Sequence, residues 1–292
     1  MGKIAILVGL GLVLVARVWG AEAGQRKEPN QVSEKQANWR LGTQAYSFRA
    51  GTFFEAVDKT KSLGLKYIES YPRQQMRKGS DVQMGPALPA AARLEAKKYL
   101  AAAGVKLVNF GVVELDKDEA KSRQVFDFAK DMGIETIVSE PAEEAIATVD
   151  KLAQEYQIKV AIHNHPQPSH YWSPDTVLAA LNGRSPWLGA CADTGHWMRS
   201  GINPLDGLKK LEGRIISLHL KDLNASDPKG YDVVWGTGKA DMEGLLTELV
   251  RQKFKGVFAI EWEHNTENFV QDIAGCVKYF NAQAAKLKQD EK

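Results

Sequence analysis

No histidine precedes His163, although the chain holds six in 292 residues. Cysteine is nearly absent, at Cys191 and Cys276 alone. No cysteines or histidines stand at the short fixed spacing of a local zinc motif, so a metal site has to be assembled from distant segments. Charge of one sign is missing too. The 38 Lys and Arg against 36 Asp and Glu leave +2, with no basic run, which removes the phosphate-binding surface that a nucleic-acid enzyme needs. Beyond the first segment, no apolar run approaches the ~18 residues of a membrane span. No glycine-rich phosphate turn follows the first predicted strand, which disfavours the open sheet of a dinucleotide-binding domain.

The start of the chain reads as an export signal. Lys3 gives a short basic segment, residues 4–16 are apolar, and the small residues Gly20, Ala21 and Ala23 follow. That apolar stretch is short for a span. Residues 1–23 are expected to be a signal peptide of an exported, periplasmic or secreted protein of bacterial type. Residues 24–38, polar and without apolar period, read as a disordered leader. From Trp39 onward, β-rich apolar runs alternate with longer helical patterns. Strands are predicted at 41–48, 67–70, 107–112, 136–139, 160–163, 189–193, 215–220 and 257–262. Helices are predicted at 52–63, 89–103, 118–132, 142–156, 173–181, 204–211, 241–253 and 267–287. The strands are continuous apolar runs, as a parallel sheet buried on both faces requires. Gly104 and Gly133 stand where a helix C-terminus favours φ > 0, and Pro174 and Pro204 where a first turn tolerates a missing N–H. The loops after strands are the longer ones and carry the unusual residues. These features predict an α/β fold, a single-domain (β/α)8 TIM barrel over 39–292, with its site at the C-terminal ends of the strands. Cys191 then points into the barrel and Cys276 lies on the last helix outside it. A disulfide needs Cα atoms within about 7 Å, so both are expected to be free thiols.

Chemistry-bearing residues gather at the strand ends. The second strand ends on Glu69, the fourth on Glu140, and the fifth on His163 and His165. The sixth gives Asp193 and His196, the seventh His219, Lys221 and Asp222, and the eighth Glu261 and Glu263. In a barrel all of these converge on one face. Mixed carboxylates and imidazoles on rigid strands suit one divalent cation: Mn, Co, Zn or Mg. Without a cation between them, Asp193 and Glu261 would repel and raise each other's pKa. Plainer readings exist: Glu140 before Pro141 favours the next helix N-terminus, and Lys221 with Asp222 also reads as a surface pair. Tyr46, Phe48, Trp172, Trp197 and Trp262 are candidates for sugar-stacking faces at the rim, or for core and loop packing.

With Asp193-Thr194-Gly195-His196, Ser217-Leu218-His219-Leu220-Lys221-Asp222, Trp235-Gly236-Thr237-Gly238 and Ile260-Glu261 in place, the chain resembles the sugar-phosphate isomerase/epimerase family of xylose-isomerase-like barrels. That family is related to the class II apurinic endonucleases. The resemblance runs from Leu41 to the C-terminus. It implies one metal held by Glu, Asp, His and Glu from the fifth to eighth strands. Asp193, His219 and Glu261 match, but the fifth position holds His163. The metal set is therefore expected to be His163, Asp193, His219 and Glu261. Glu140 is expected as a further ligand or as the base facing Glu261, so the expected catalytic pair is Glu140 and Glu261. Glu69, His165, His196, Lys221 and Trp197 are the expected substrate contacts. The implied activity is a divalent-metal-dependent sugar isomerase or epimerase. It would abstract a proton beside a carbonyl of a free sugar, keto-sugar or glycoside and pass through an enediolate. A lyase acting on a keto-glycoside would begin with the same proton, and a non-catalytic periplasmic sugar-binding barrel is the reading of another class. The nuclease alternative lacks its histidines on the early strands, and Asp232-Val233-Val234 stands where its Asp-x-His would be. The expected partner is a small carbohydrate, with no nucleic acid and no membrane after signal removal. A homo-oligomer is compatible with the sequence.

Overall fold

Eight parallel strands close on themselves in the order β1 to β8. They are β1 Arg40–Gln44, β2 Tyr67–Ser70, β3 Lys106–Val113, β4 Thr136–Ser139, β5 Lys159–His163, β6 Leu188–Asp193, β7 Ile215–Leu220 and β8 Val257–Ile260. The helices around them are α1 Phe53–Ser62, α2 Ala90–Ala103, α3 Glu119–Met132, α4 Ile146–Tyr156, α5 Pro174–Leu181, α6 Thr194–Arg199, α7 Pro204–Lys210, α8 Met242–Arg251 and α9 Phe269–Gln289. This is a computed structural model that describes residues 1–2 and 39–289. The expected signal peptide and leader therefore lie almost wholly outside the described residues. No helix among the described residues is long and apolar enough to cross a membrane.

Continuous burial of β4, β6 and β8 reflects a sheet covered on both sides. The large apolar core fills the layer between sheet and helices. A small separate cluster of Val138, Ala161 and Cys191 sits with Val112 and Ile216. Two-residue pleat periodicity puts Ala161 below His163 and Cys191 below Asp193, so small side chains fill the barrel floor and polar ones its mouth. Both cysteines are buried and free, as expected. Gly104 and Gly133 end α2 and α3 with φ of 69° and 72°.

The differences from the expected elements lie near the mouth. The first strand stops at Gln44, because the Gln44 side chain accepts the Tyr46 N–H at 2.9 Å and starts a 3-10 turn, Ala45–Phe48. Strand eight ends at Ile260. Ser47 Oγ donates to the Ile260 carbonyl at 3.3 Å and accepts the Trp262 N–H at 2.9 Å, which ties the exit of β8 to that turn. A 3-10 turn, Glu143–Ala145, precedes α4. The segment read as a loop after Asp193 contains α6, and the Asp193 side chain caps it by accepting the His196 N–H at 2.7 Å.

Candidate metal centre

Four strand ends bring their side chains to one point. His163 closes β5, Asp193 closes β6, His219 stands one residue before the end of β7, and Glu261 follows β8 directly. All four are buried, and one ligand atom from each lies within 4.8 Å of the others. His219 Nδ1 is 3.2 Å from Glu261 Oε2, His163 Nε2 is 3.6 Å from Asp193 Oδ2, and His219 Nδ1 is 3.9 Å from Asp193 Oδ2. Neighbouring polar residues hold the strand ends in register. Asn164 Nδ2 donates to the Asp193 carbonyl at 3.0 Å, and Asn164 Oδ1 accepts the Asp193 N–H at 2.8 Å. Thr194 Oγ1 does the same for the Lys221 backbone, with both bonds at 2.8 Å.

A carboxylate behind each imidazole turns it toward the centre. Glu69 Oε1 accepts from His219 Nε2 at 2.9 Å, and Glu69 is itself held by Gln44 Nε2 at 2.9 Å and Asn109 Nδ2 at 3.1 Å. Glu140 Oε1 accepts from His163 Nδ1 at 2.9 Å and from the His165 backbone N–H at 3.1 Å; it also meets His165 Nδ1, while Ser169 Oγ donates to Oε2 at 2.8 Å. Protons on His219 Nε2 and His163 Nδ1 leave lone pairs on His219 Nδ1 and His163 Nε2. Those two nitrogens are buried without a hydrogen bond. Buried polar atoms left unpaired are costly. Imidazoles oriented by carboxylates, beside two further carboxylates, form a donor set that fits a divalent cation.

Charge is distributed unevenly around the centre. Burial works against ionising Glu140, yet His163 and His165 hold its carboxyl far below the usual range. Burial also works against charging His163, but Asp193 and Glu140 on either side raise it to about 9, so binding a cation at Nε2 would release the proton this nitrogen carries at neutral pH. His196 moves the other way. Burial pushes it down to about 3 against the pull of Asp193, and Lys221 adds to the effect. Arg199 Nη1 donates to His196 Nδ1 at 3.0 Å, which fixes a neutral ring with its proton on Nε2, 3.6 Å from Asp193 Oδ2.

Above the centre lies a cavity of about 300 Å³. Its wall includes Tyr46, Tyr71, Arg73, His165, His196 and Glu263, with His163 and Glu261 at its floor. A larger space of about 650 Å³ opens at the other end of the barrel, among Arg40, Lys130, Lys159 and Lys255. It collects basic surface chains and none of the strand-end donors, so volume alone does not mark the site.

The expected donors His163, Asp193, His219 and Glu261 are thus brought together, and His165 and His196 do line the cavity. Four expectations change. Glu140 turns both oxygens toward His163, His165 and Ser169, and with the two histidines it forms a second group of donor atoms within 4.8 Å of one another, beside the four-donor centre. Glu69 is buried behind His219, not open to a substrate. Trp197 is buried against Gly207, where an added Cβ would fall 2.9 Å from the indole ring, so it packs α6 on α7 and offers no stacking face. Lys221 is buried, with Nζ 2.9 Å from Asp193 Oδ2, 2.8 Å from Glu261 Oε2 and 3.1 Å from Glu263 Oε2. It is neither a rim contact nor one half of a surface pair. Among the rim aromatics, Phe48 and Trp262 are core, while Tyr46 lines the cavity and stacks edge-on against Tyr71 at 5.3 Å. The sequence reading passed over Gln44, Asn109 and Arg199. The first two are single polar residues inside apolar strand runs, and Arg199 follows His196 by one helical turn; each spacing was a usable signal.

A closed (β/α)8 barrel with imidazole and carboxylate donors at its C-terminal mouth defines the class. The chain belongs to the xylose isomerase-like TIM barrel family, whose family model matches residues 57–279. A solved but uncharacterized protein from Parabacteroides distasonis is 32% identical over 83% of this chain and 98% of that one, with a TM-score of 0.68. An L-ribulose 3-epimerase is 14% identical over 87% of this chain and 97% of its own, at TM-score 0.64. A xylose isomerase-like barrel protein from Mycobacterium smegmatis, solved in complex with magnesium, is 14% identical over 87% of this chain and 99% of its own, at TM-score 0.69. No curated protein matches the sequence.

Proposed function

We propose that the protein is a divalent-metal-dependent sugar isomerase or epimerase acting on a free sugar, keto-sugar or glycoside. The observation that carries this reading is the pair of imidazoles, each backed by a carboxylate, whose unpaired nitrogens face Asp193 and Glu261 at the floor of a cavity. His163, Asp193, His219 and Glu261 would hold the cation. When bound, it supplies Lewis-acid polarisation of a carbonyl and a neighbouring hydroxyl. Glu261 is the one carboxylate of the four that also lines the cavity, and it takes the proton next to the carbonyl. His165 reaches the cavity from β5, on another side of the barrel. Glu140 accepts its Nδ1 proton, so in the imidazolium form Nε2 carries the second proton, which it returns and then regains from water. Neutral His196 donates from Nε2 and positions a substrate oxygen. Tyr46 and Tyr71 close one wall and limit access of water. The reading also keeps export with removal of residues 1–23, which N-terminal sequencing of the secreted protein would check.

The test is deuterium incorporation. Metal-loaded protein incubated with a panel of keto-sugars in D2O should place deuterium at the carbon beside the carbonyl, and Glu261→Gln should abolish it. A new sugar epimer or isomer marks the proposed reaction, whereas an unsaturated product marks elimination. No incorporation from any of the sugars, with metal bound, would leave a binding protein instead.

A further inference from the structure

Lys221 is the group at the centre that neither the donor set nor the cavity explains. Its Nζ lies 2.9 Å from Asp193 Oδ2 and 2.8 Å from Glu261 Oε2. These are the same two oxygens that face His219. A third carboxylate, Glu263, is in reach at 3.1 Å and is also paired with Arg199 Nη1 at 2.5 Å. The ammonium is thus buried among three carboxylates, none of them farther than 3.1 Å. The side chain has a built path: a Cβ on Gly195 would fall 2.8 Å from both Cβ and Cδ of Lys221, so the glycine next to the α6 cap leaves room for the lysine stem. A divalent cation bonded to Asp193 and Glu261 at about 2.0–2.2 Å would share both oxygens with a second positive charge, and like charges at that range repel.

We propose that Lys221 is a tethered counter-cation that competes with the divalent cation for Asp193 and Glu261, and that Glu263 takes over its ammonium when the cation is loaded; this inference rests on the metal-centre reading above. A tethered competitor acts at high effective concentration, so it weakens metal affinity without changing any ligand. It also keeps the crowded carboxylates compensated before loading, which lets the barrel mouth assemble metal-free.

The experiment measures Mn²⁺ binding to wild type and to Lys221→Met, following free Mn²⁺ by EPR, with melting curves recorded in EDTA. Lys221→Met should bind Mn²⁺ at least tenfold more tightly. It should also melt lower than wild type in EDTA and recover when Mn²⁺ is added. Binding by Lys221→Met with none by wild type also supports the competition, while it ends the metal-dependent reading of the native protein. Equal or weaker binding by Lys221→Met, beside a wild type that binds, overturns the competition and leaves the metal centre standing. Binding by neither overturns both. If Lys221→Met does not fold, wild-type crystals grown with and without Mn²⁺ decide the matter. Nζ should leave Asp193 and Glu261 on loading, and an ammonium that stays on both oxygens beside bound metal overturns the inference.

Discussion

His163 meets a carboxylate at each ring nitrogen, Glu140 Oε1 at 2.9 Å from Nδ1 and Asp193 Oδ2 at 3.6 Å from Nε2. The two contacts differ in kind. The first is a hydrogen bond that fixes which nitrogen carries a proton, and the second points an unpaired nitrogen at a shared centre. Replacing Glu140 by Gln keeps an oxygen to accept the Nδ1 proton but removes the charge that makes the ring a strong donor. Glu140→Gln should therefore stay folded and lose about 10–100-fold in metal affinity. An unchanged affinity in a metal titration would show that Glu140 does not serve His163. Asp232 carries a separate prediction. Burial raises its carboxyl to about 6 even though Lys221 and Arg199 favour the ionised form. A carboxyl whose folded pKa lies above its unfolded value contributes stability that is complete below about 4 and lost as pH rises through about 6. Ionising it in place costs about 3 kcal/mol by pH 7, at 1.36 kcal/mol per unit. Asp232→Asn keeps an acceptor for the Glu263 N–H, which Asp232 now binds at 2.9 Å, and does not titrate. Urea denaturation should show the variant gaining on wild type by about that amount between pH 4 and pH 7. A difference that is flat with pH would contradict the assignment.

Elements at the barrel mouth are held by single carboxylates. Asp222, two residues after β7, accepts the N–H groups of Gly236 and Gly238 at 2.9 Å and of Ala240 at 3.0 Å, which folds the loop before α8 around one side chain. A Cβ on Gly238 would fall 2.2 Å from Asp222 Oδ1, so this glycine is required by the contact. Asp222→Ala removes the acceptor of three N–H donors in a half-exposed loop, each hydrogen bond worth about 0.5–1.5 kcal/mol. Limited proteolysis should then cut within 223–240 far faster than in wild type, and resistance equal to wild type would show the loop is held by other means. Lys221-Asp222, Gly195 and Gly236-Thr237-Gly238 thus explain one another: one motif supplies a side chain and the others supply the space for it. The eight strands were legible because parallel strands covered on both faces are written as unbroken apolar runs. Helix α6 was not, since its six residues form around the Asp193 cap and carry no period of their own. Lys221 was misplaced for a related reason. Lysine is almost never buried, and what buries this one is a set of carboxylates from β6 and from beyond β8 that only the closed barrel brings together.

On the scale of the whole molecule, closure of the barrel couples the site to stability. The donors come from β5, β6, β7 and the end of β8, and the groups orienting them come from β1 to β4. An unfolded chain cannot present these residues to one ion, so a cation that binds the folded form stabilises the entire barrel by mass action. At a hundredfold excess over Kd that amounts to about 2.7 kcal/mol. For a domain of this size each kcal/mol moves the melting temperature by about 2–4 °C, so loading should raise it by about 5–10 °C. Adding EDTA should reverse the shift. The barrel should remain folded in EDTA, because Lys221 already lies among Asp193, Glu261 and Glu263. His163→Ala removes one donor and leaves Asp193, Glu261 and Glu263 paired with Lys221, and its melting temperature should no longer respond to metal or chelator. A wild-type melting curve that is the same in EDTA and in excess Mn²⁺, Zn²⁺, Co²⁺ and Mg²⁺ would mean that the four strand ends hold no cation, and the proton-transfer chemistry assigned to them would lose its electrophile.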